Sequence, residues 1–391
     1  MNVQRLNNLL ASGKGHTVLF RLPEESLCTI VQQTGGEPAV LPSVAELGGE
    51  EGYVMTPFAP SAEHPILLLH PDILEPFSLE ELESTATFLQ GNEGASAALD
   101  ADAASAAAPN GSQQEGDSPQ DESEERARYH LDFANFHAQI EAGQFNKLVL
   151  ARMSERRYPD TAGSRLTPLQ LFARACHLYP HQYIALISLQ GAGEWLMATP
   201  ELLLGSHDGC WHTMALAGTQ RATAEQLADN TWKDARWSEK NKLEQRCVTT
   251  YITQILERHT QSLEVSAPYT TTAARLLHLR TDFTFRLHEQ KQLGTLLDDL
   301  FPTPAVCGLP KEAARHFILR NENVDRRYYS GFCGMIRPHG DTALFVSLRC
   351  MQLLPHAFRL YAGGGLLADS EEESEWQETE AKIHTMARLI E

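Results

Sequence analysis

The chain has 391 residues, 42% of them hydrophobic and 21% charged, a composition typical of a globular protein with a large core. Lys and Arg total 32 and Asp and Glu total 51, so the formal charge is −19, which argues against nucleic acid as a partner. Seven scattered cysteines form no CxxC pair, and no apolar run reaches the length of about 18 residues that spans a membrane. We therefore expect a cytoplasmic protein without a signal peptide, disulfides, structural zinc or membrane contact.

The first 127 residues divide into a patterned part and a part of different composition. In residues 1–90, HTVLFRL and HPILLLH are typical of strands, and SLEELESTATFLQ is typical of a capped amphipathic helix. Between Gly91 and Glu125 there are nine acids and no basic residue. We predict that residues 91–127 are a disordered insertion, because they could not bury enough surface to offset their ordering entropy.

From Tyr129 onward the chain is dense in regular structure. The predicted helices are YHLDFANFHAQIEAGQF, TPLQLFARACHLY, SEKNKLEQRCVTTYITQILERH, TLLDDLF and KEAARHFILRNE. The predicted strands include FNKLVLARMSERRY, YIALISL, EWLMATPELLLGS, RTDFTFRL, SGFCGMIRP, TALFVSLRCMQLL and FRLYAGG. Strand pairs with tight links, mixed with helices, favour an α+β arrangement of antiparallel sheets over a doubly wound parallel sheet.

The final stretch, LYAGGGLLADSEEESEWQETEAKIHTMARLIE, joins a glycine-rich segment to an acidic helix. We predict a short strand from Phe358 that breaks at Gly363, Gly364 and Gly365. The helix that follows has seven carboxylates from Asp369 to Glu380 and no basic residue there. Unpaired backbone N–H groups at a glycine turn and helix start would suit an anion, and the neighbouring acids would suit a cation.

The phase of this helix separates its acids. At about 100° per residue, the predicted core face carries Trp376, Thr379, Ile383, Met386 and Ile390. Glu375 and Glu378 fall at its edge, with Lys382 between them. Two like charges at the border of a core repel unless a cation neutralises them, which favours a divalent ion with oxygen ligands. The alternative is an acidic first turn favoured by the helix dipole.

Two ionisable residues could move protons. Lys147 begins an apolar strand; if it points inward, desolvation would lower its pKa and let it act as a base, and otherwise it is a solvated strand end. Glu201 lies between Pro200 and an apolar run, where a raised pKa would make it a general acid. The alternative for Glu201 is a charged turn residue.

Other residues could hold a metal or an anionic ligand. Glu244 borders the apolar stripe of its helix and is either a further oxygen ligand or a surface partner of Lys240. Arg349 interrupts an apolar strand, so it needs a ligand carboxylate or a structural ion pair. Tyr329 could donate its phenol to the same anion or simply pack in the core. Thr219 follows a glycine that would let the backbone approach a ligand closely.

Taken in order, these stretches resemble the chorismate-utilising enzymes, which include isochorismate, salicylate, anthranilate and aminodeoxychorismate synthases. The matching segments are KLVLAR, ATPELLL, ALAGTQR, SEKNKLEQ, LHLRT, PTPAVCGLP, RRYYSGFCG, FVSLR, LYAGGG and EWQETEAK. The resemblance implies two large, mostly antiparallel sheets packed together and flanked by helices. It makes residues 128–391 the chorismate-binding catalytic region and residues 1–90 a weakly matching N-terminal part of the same domain.

Two residues indicate the branch of this family. Lys147 resembles the base of the water-adding enzymes, where amine-transferring members typically have glutamine. Ala217 stands where aminodeoxychorismate synthases carry a nucleophilic lysine. The resemblance therefore implies an isochorismate synthase of menaquinone or siderophore biosynthesis, a monomer or weak homodimer without a glutaminase subunit. A salicylate synthase and a non-catalytic chorismate-binding relative remain the alternatives.

The resemblance also implies individual roles. Mg²⁺ held by Glu244, Glu375 and Glu378 would bind the ring carboxylate of chorismate. Lys147 would take a proton from the water that attacks C2, and Glu201 would protonate the departing C4 hydroxyl. Substrate contacts are implied for Thr219, His278, Tyr329, Arg349, Gly363, Gly364, Gly365 and Lys382. The chain departs from the family pattern at Gln245 and Phe301, where histidine is usual.

Overall fold

The computed structural model describes residues 6, 15–84, 122–157, 166–223, 226, 229, 231–273 and 276–391. Its strands are β1 His16–Arg21, β2 Leu27–Gln33, β3 Ala39–Leu41, β4 Gly52–Thr56, β5 Ile66–Leu69, β6 Ile73–Ser78, β7 Lys147–Arg157, β8 Tyr183–Leu189, β9 Gly193–Thr199, β10 Leu202–His207, β11 Cys210–Arg221, β12 Thr260–Val265, β13 Tyr269–Ala273, β14 Leu276–Leu287, β15 Gly308–Leu309, β16 Phe332–Ile336, β17 Ala343–Val346, β18 Cys350–Leu353 and β19 Ala357–Leu366. Its α-helices are α1 Leu79–Glu83, α2 Glu122–Glu141, α3 Pro168–Leu178, α4 Glu239–His259, α5 Leu293–Leu300, α6 Lys311–Asn321 and α7 Glu372–Ala387.

The strands form two large sheets. The first has nine strands in the order β15-β7-β19-β18-β9-β8-β1-β2-β6. The second has ten, in the order β12-β14-β11-β10-β17-β16-β4-β5-β3, with β13 paired to β14. Neighbouring strands are antiparallel in both sheets, as in β7 with β19 and β11 with β14. The predicted α+β class with antiparallel sheets is therefore confirmed.

The two sheets pack face to face, with helices on their outer sides. Strand β8 shows why its sequence, YIALISL, is almost continuously apolar. Tyr183 and Ile187 contribute to the core between the sheets, while Ile184 and Leu186 pack in the cluster that contains α3. A strand covered on both faces needs apolar side chains at successive positions. Across the sheets, the hydroxyls of Tyr53 and Tyr183 lie 3.0 Å apart.

The N-terminal strands belong to both sheets. Strand β1 pairs with β8 in the first sheet, and β4 pairs with β16 in the second. Residues 85–121, which include most of the predicted insertion, lie outside the described residues. The prediction of disorder is wrong for residues 122–127, because α2 begins at Glu122. Glu125 and Arg126 gain ion-pair partners on β7 and α7, which local composition could not reveal.

Two segments predicted as single strands each divide between the sheets. EWLMATPELLLGS forms β9 in the first sheet and β10 in the second, and TALFVSLRCMQLL forms β17 in the second and β18 in the first. The chain crosses at Pro200–Glu201 and at Ser347–Arg349. The crossings are hydrogen-bonded side by side, with Val346 N–H donating to Glu201 O and Ala198 N–H donating to Arg349 O, both at 3.0 Å.

The predicted glycine turn is also wrong. Strand β19 continues through Gly363, Gly364 and Gly365, which pair with Ala151, Leu150 and Val149 of β7. The anion site expected from free N–H groups at a turn therefore does not form there. The core face predicted for α7 is confirmed at Trp376, Thr379, Ile383 and Met386, whereas Ile390 lies beyond the helix and is half-buried. Within the described parts of the chain, no helix is long and apolar enough to cross a membrane.

Candidate active site

A pocket lies between the sheets, where the two crossings approach β11, β19 and α4. Among the residues predicted for the site, those that line it are Glu201, Thr219, Glu244, His278, Tyr329, Arg349, Gly363, Gly365 and Lys382. Lys147, Gly364, Glu375 and Glu378 are not in its wall. Lys147 contacts the wall residue Glu244, and Glu378 contacts the wall residue Lys382, so both lie directly behind the wall. The structure therefore brings most of the predicted residues together.

Lys147 points inward and is fully buried. Its Nζ donates to Glu244 Oε1 at 2.7 Å, while Glu244 Oε2 accepts the Gly218 N–H at 3.1 Å. Burial alone would raise the pKa of Glu244, but the charge and hydrogen bond of Lys147, together with the charges of Lys382 and Lys240, outweigh it and hold that pKa below its usual value. The non-catalytic alternatives for these two residues are therefore wrong, because Lys147 is not a solvated strand end and Glu244 is not paired with Lys240.

A bulge in β11 supplies the second bond to Glu244. Its pairing with β14 shifts register between Ala217 and Thr219, and Gly218 has φ +69°. This left-handed conformation favours glycine because a Cβ would be strained there. The bulge turns the Gly218 N–H toward Glu244. In the sequence, the Gly-Thr pair predicts that the backbone can approach a ligand closely, but it does not predict this bulge.

Glu201 lies at the first crossing, where its side chain is buried. Burial raises its pKa to about 8, against the opposing influence of Lys147 and Lys382. Glu201 is therefore largely protonated at neutral pH. A buried carboxyl that still holds its proton can donate it, which is the requirement for a general acid.

Arg349 lies at the second crossing with φ +45°, buried beside His278. Burial lowers the pKa of Arg349 to about 10, and that of His278 is held well below 6.5 by burial, Arg349 and Lys382. Nδ1 of His278 lies 3.1 Å from Gly218 O, and Nε2 lies 3.1 Å from an Arg349 nitrogen. A carbonyl only accepts and a guanidinium only donates, so neutral His278 carries its proton on Nδ1 and orients Arg349 through Nε2.

The Arg349 guanidinium has room for an anionic partner. Besides His278, it donates to Thr385 Oγ1 at 3.3 Å. Among the described residues, no carboxylate forms an ion pair with Arg349. A buried guanidinium without a carboxylate favours a ligand that brings one.

The glycines of β19 make space for side chains. A Cβ on Gly363 would lie 2.7 Å from Tyr329 Oη, and a Cβ on Gly365 would lie 2.3 Å from Glu244 Oε1. Tyr329 stacks on Tyr361 with ring centroids 5.5 Å apart, and burial raises its pKa, so its phenol keeps its proton. Tyr329 therefore presents a hydroxyl donor to the pocket beside Gly363.

Each of the three candidate metal ligands is paired with a lysine. Glu244 contacts Lys147, Glu375 contacts Lys240, and Glu378 Oε1 accepts from Lys382 at 2.7 Å. Lys382 also donates to Gly363 O at 2.8 Å. As they stand, the three acids do not converge: among the described residues, no group of three His, Cys, Asp or Glu could hold an ion.

The charges of this cluster still suit a cation. Burial and then the negative charge of Glu378 raise the pKa of Glu375. The ammonium of Lys240 is desolvated, yet attraction from Glu375, Glu378 and Glu244 raises its pKa. A positive charge is thus stabilised by all three acids at once. Carboxylate oxygens are the ligands that Mg²⁺ prefers, so the donor set fits that ion.

Arg152 has a positioning role that the sequence did not reveal. Its guanidinium lies 3.4 Å from the centre of the Trp376 ring and forms ion pairs with Glu125 and Glu380. It also donates to Thr379 Oγ1 at 3.2 Å. These contacts hold α7, which carries Glu375 and Glu378, against β7. The available signal was a charged residue in an apolar strand together with a distant acidic helix.

The two departures from the family pattern fall outside the pocket wall. Gln245 is buried and its Nε2 donates to Ala215 O and Thr281 Oγ1, both at 3.1 Å, which ties α4 to β11 and β14. Phe301 packs edge-on against Phe332 with centroids 4.9 Å apart. Gln245 therefore joins elements by hydrogen bonds and Phe301 packs in the core, and neither residue lines the pocket.

Known proteins of similar sequence include several isochorismate synthases. Isochorismate synthase EntC of Escherichia coli K12 is 31% identical over 249 residues, which cover 63% of each chain. Isochorismate synthase MenF of the same strain is 32% identical over 258 residues, 64% of this chain and 57% of MenF. The salicylate biosynthesis isochorismate synthase of Pseudomonas aeruginosa is 32% identical over 271 residues, 68% of this chain and 55% of that protein. The matched region thus spans less than two thirds of these relatives.

Solved structures agree on the fold, and a family profile covers most of the chain. The structure of E. coli MenF superposes with a TM-score of 0.73 at 22% identity, covering 98% of this chain and 91% of MenF. Anthranilate synthase component I of Streptococcus pneumoniae gives 0.61 at 18% identity, covering 99% and 86%. The profile described as chorismate binding enzyme matches residues 80–391. The chain therefore belongs to the chorismate binding enzyme family.

Proposed function

We propose that this protein is an isochorismate synthase, which adds water at C2 of chorismate and expels the C4 hydroxyl. The observation that carries the proposal is the pocket itself, which is lined by a protonated Glu201 and by Arg349, a cation with no ion pair among the described residues. The amine of Lys147 lies directly behind the wall residue Glu244. The relatives named isochorismate synthase support the same reaction. Ala217 in the pocket wall offers no amine nucleophile, which disfavours amine transfer through a covalent lysine intermediate.

Two residues would share the proton transfers. Glu201 holds its proton at neutral pH and can give it to the leaving hydroxyl, which departs as water. Lys147 can accept a proton from the attacking water only as a neutral amine. The ammonium that donates to Glu244 must therefore first release one proton. The hydroxyl added at C2 replaces the one lost at C4, so the atoms of substrate and product balance.

The substrate's carboxylates would be held at two places. Arg349, oriented by His278, and the phenol of Tyr329 would bind the enolpyruvyl carboxylate. Thr219 Oγ1 lies 3.4 Å from His278 Nδ1 and would line the same side of the ring. Lys382 would add a second cation near Gly363.

We further propose Mg²⁺ as the cofactor, with Glu244, Glu375 and Glu378 as its ligands. The ion would supply positive charge beside the ring carboxylate and so withdraw electrons from the ring. The support is this set of three carboxylates, whose negative charges all stabilise the ammonium of Lys240, although only Glu375 contacts it. Side-chain rotation would be needed, because each acid now faces a lysine.

The reaction is tested by incubating purified protein with chorismate and Mg²⁺ and identifying products by liquid chromatography and mass spectrometry. We expect isochorismate, and no turnover after chelation of the ion. Salicylate with pyruvate would instead select a salicylate synthase. Unchanged chorismate would contradict both and leave a binding protein.

The ligand set is tested by Glu378→Gln, which should raise the Mg²⁺ concentration for half-maximal turnover by about tenfold or more. Glu373→Gln is the matched control, since Glu373 lies on the same helix but is exposed and pairs with Arg126 at 2.8 Å. Equal Mg²⁺ requirements for wild type and Glu378→Gln would show that this acid is structural.

A further inference from the structure

Lys240 stands apart from the other lysines of the acidic cluster. It is the second residue of α4, next to the end capped by Ser238, and its side chain keeps 22% of its surface exposed. Lys147 is fully buried, and Lys382 has a second anchor on Gly363 O. Lys240 does not line the pocket, so it has no place for contact with the substrate. Its Nζ contacts Glu375 Oε1 directly.

The ammonium of Lys240 supplies positive charge beside the candidate metal ligands, as a metal ion would. Lys240 lies one helical turn before Glu244 on the same face of α4, and it reaches Glu375 on α7. Glu378 and Glu244 also act on it electrostatically. One cation therefore bridges the two helices that carry the candidate ligands. This contact ties Glu375 to α4, the helix that carries Glu244.

We propose that Lys240 is an internal competitor for the divalent ion, occupying the acidic cluster when the ion is absent and swinging into solvent when it binds. This inference rests on the proposed metal site. Because Glu375 is almost wholly buried, its charge needs a counter-ion in the metal-free protein, and Lys240 supplies it. A divalent ion bound by Glu375 would share that carboxylate with the Lys240 ammonium, so the contact lowers the affinity for the ion.

The direct test measures binding of Mn²⁺ alone, as a paramagnetic substitute for Mg²⁺, by electron paramagnetic resonance at pH 8.5 without chorismate. Lys240→Met should bind Mn²⁺ about tenfold more tightly than wild type, because no ion pair has to be broken first. Lys240→Arg keeps the charge and should show no such gain. Lys242→Met is the matched control, since Lys242 pairs with Glu239 on the exposed side of the same helix at 2.8 Å.

Thermal unfolding separates competition from a merely structural role. With a chelator present, Lys240→Met should melt below wild type, because Glu375 has lost its counter-ion. With saturating Mg²⁺ the two proteins should melt together, since the ion replaces the lysine. A lower melting temperature in both conditions, or equal or weaker Mn²⁺ binding by Lys240→Met, overturns the proposal. If wild type and Lys240→Met both take up no Mn²⁺, the metal site itself is refuted.

Discussion

Glu201 lines the pocket, whereas Lys147 lies behind the wall residue Glu244. Lys147 begins β7 and is bound to Glu244 of α4, whereas Glu201 lies at a crossing between the sheets. The nearby charges of Lys147 and Lys382 oppose the rise in the pKa of Glu201 without cancelling it. A protonated acid and a separate amine can serve two atoms of one substrate, as an exchange of hydroxyls requires.

Replacing the amine tests its role as a base. Lys147→Gln keeps a donor for Glu244 but cannot accept a proton, so we expect turnover to fall by about 10²–10⁴-fold. Chorismate binding, measured by calorimetry, should persist because Arg349 and Tyr329 remain. Lys242→Gln, on the exposed face of α4, serves as the control. Near wild-type turnover in Lys147→Gln would remove the lysine from the mechanism and weaken the assignment to the water-adding branch.

At the scale of elements, β19 forms part of the pocket wall, and α7 contributes Lys382 to that wall and carries two of the candidate metal ligands. Three successive glycines let β19 pass close to side chains from β7 and α4, and Arg152 fixes α7 against β7. The strand itself is ordinary in pairing: ten successive residues are aligned with β7. Gly363 and Gly365 are therefore required by the space that Lys147, Glu244 and Tyr329 occupy, and not by a turn.

Adding one methyl group to this strand should damage the site. The Cβ of Gly365→Ala would lie 2.3 Å from Glu244 Oε1 and 2.7 Å from Lys147 Cε, so the ion pair must move. We expect a loss of stability of roughly 1–3 kcal/mol by urea unfolding and a fall in turnover of at least about tenfold. Gly364→Ala is the comparison, because the Cβ added at Gly364 would meet its nearest atom, Glu375 Oε2, only at 3.2 Å. An equal response from both variants would show that backbone effects, and not the ion pair, dominate.

At the scale of the whole molecule, the site lies between two sheets and burial there links its chemistry to stability. The pKa of Glu201 is about 8 in the folded protein and near 4.5 when unfolded. The folded state therefore binds more protons between these values. The contribution of Glu201 to stability is complete below about pH 4.5 and is lost as pH rises through 8.

The expected loss of stability with rising pH can be tested on the folding equilibrium. Glu201→Gln imitates the protonated acid and does not titrate, so its stability should exceed that of wild type increasingly from pH 5 to 9, by about 4 kcal/mol. Chemical unfolding across this range measures the difference. Glu239→Gln, at an exposed acid whose pKa is lowered by Lys242, should show no such growing gain. A constant difference between wild type and Glu201→Gln would mean that Glu201 is ionised throughout.

The sequence alone determined the α+β class, the buried face of α7, and the residue types at the site. These follow from local rules, because hydrophobic periodicity reports which face is buried, and the ordered motifs carried the resemblance to the family. The two sheet crossings could not be predicted in this way. Within TALFVSLRCMQLL the apolar pattern continues through Arg349, although β17 and β18 belong to different sheets.

Only the tertiary structure decided which charges meet. Glu244 could pair with Lys240 four residues earlier, yet Lys147, 97 residues away, occupies it, and Lys240 instead contacts Glu375 on α7. The glycines of β19 likewise depend on side chains from other elements. Ion pairs and close contacts depend on how the elements pack against one another. The spacing of residues along the chain therefore does not reveal a partner that lies on a distant element.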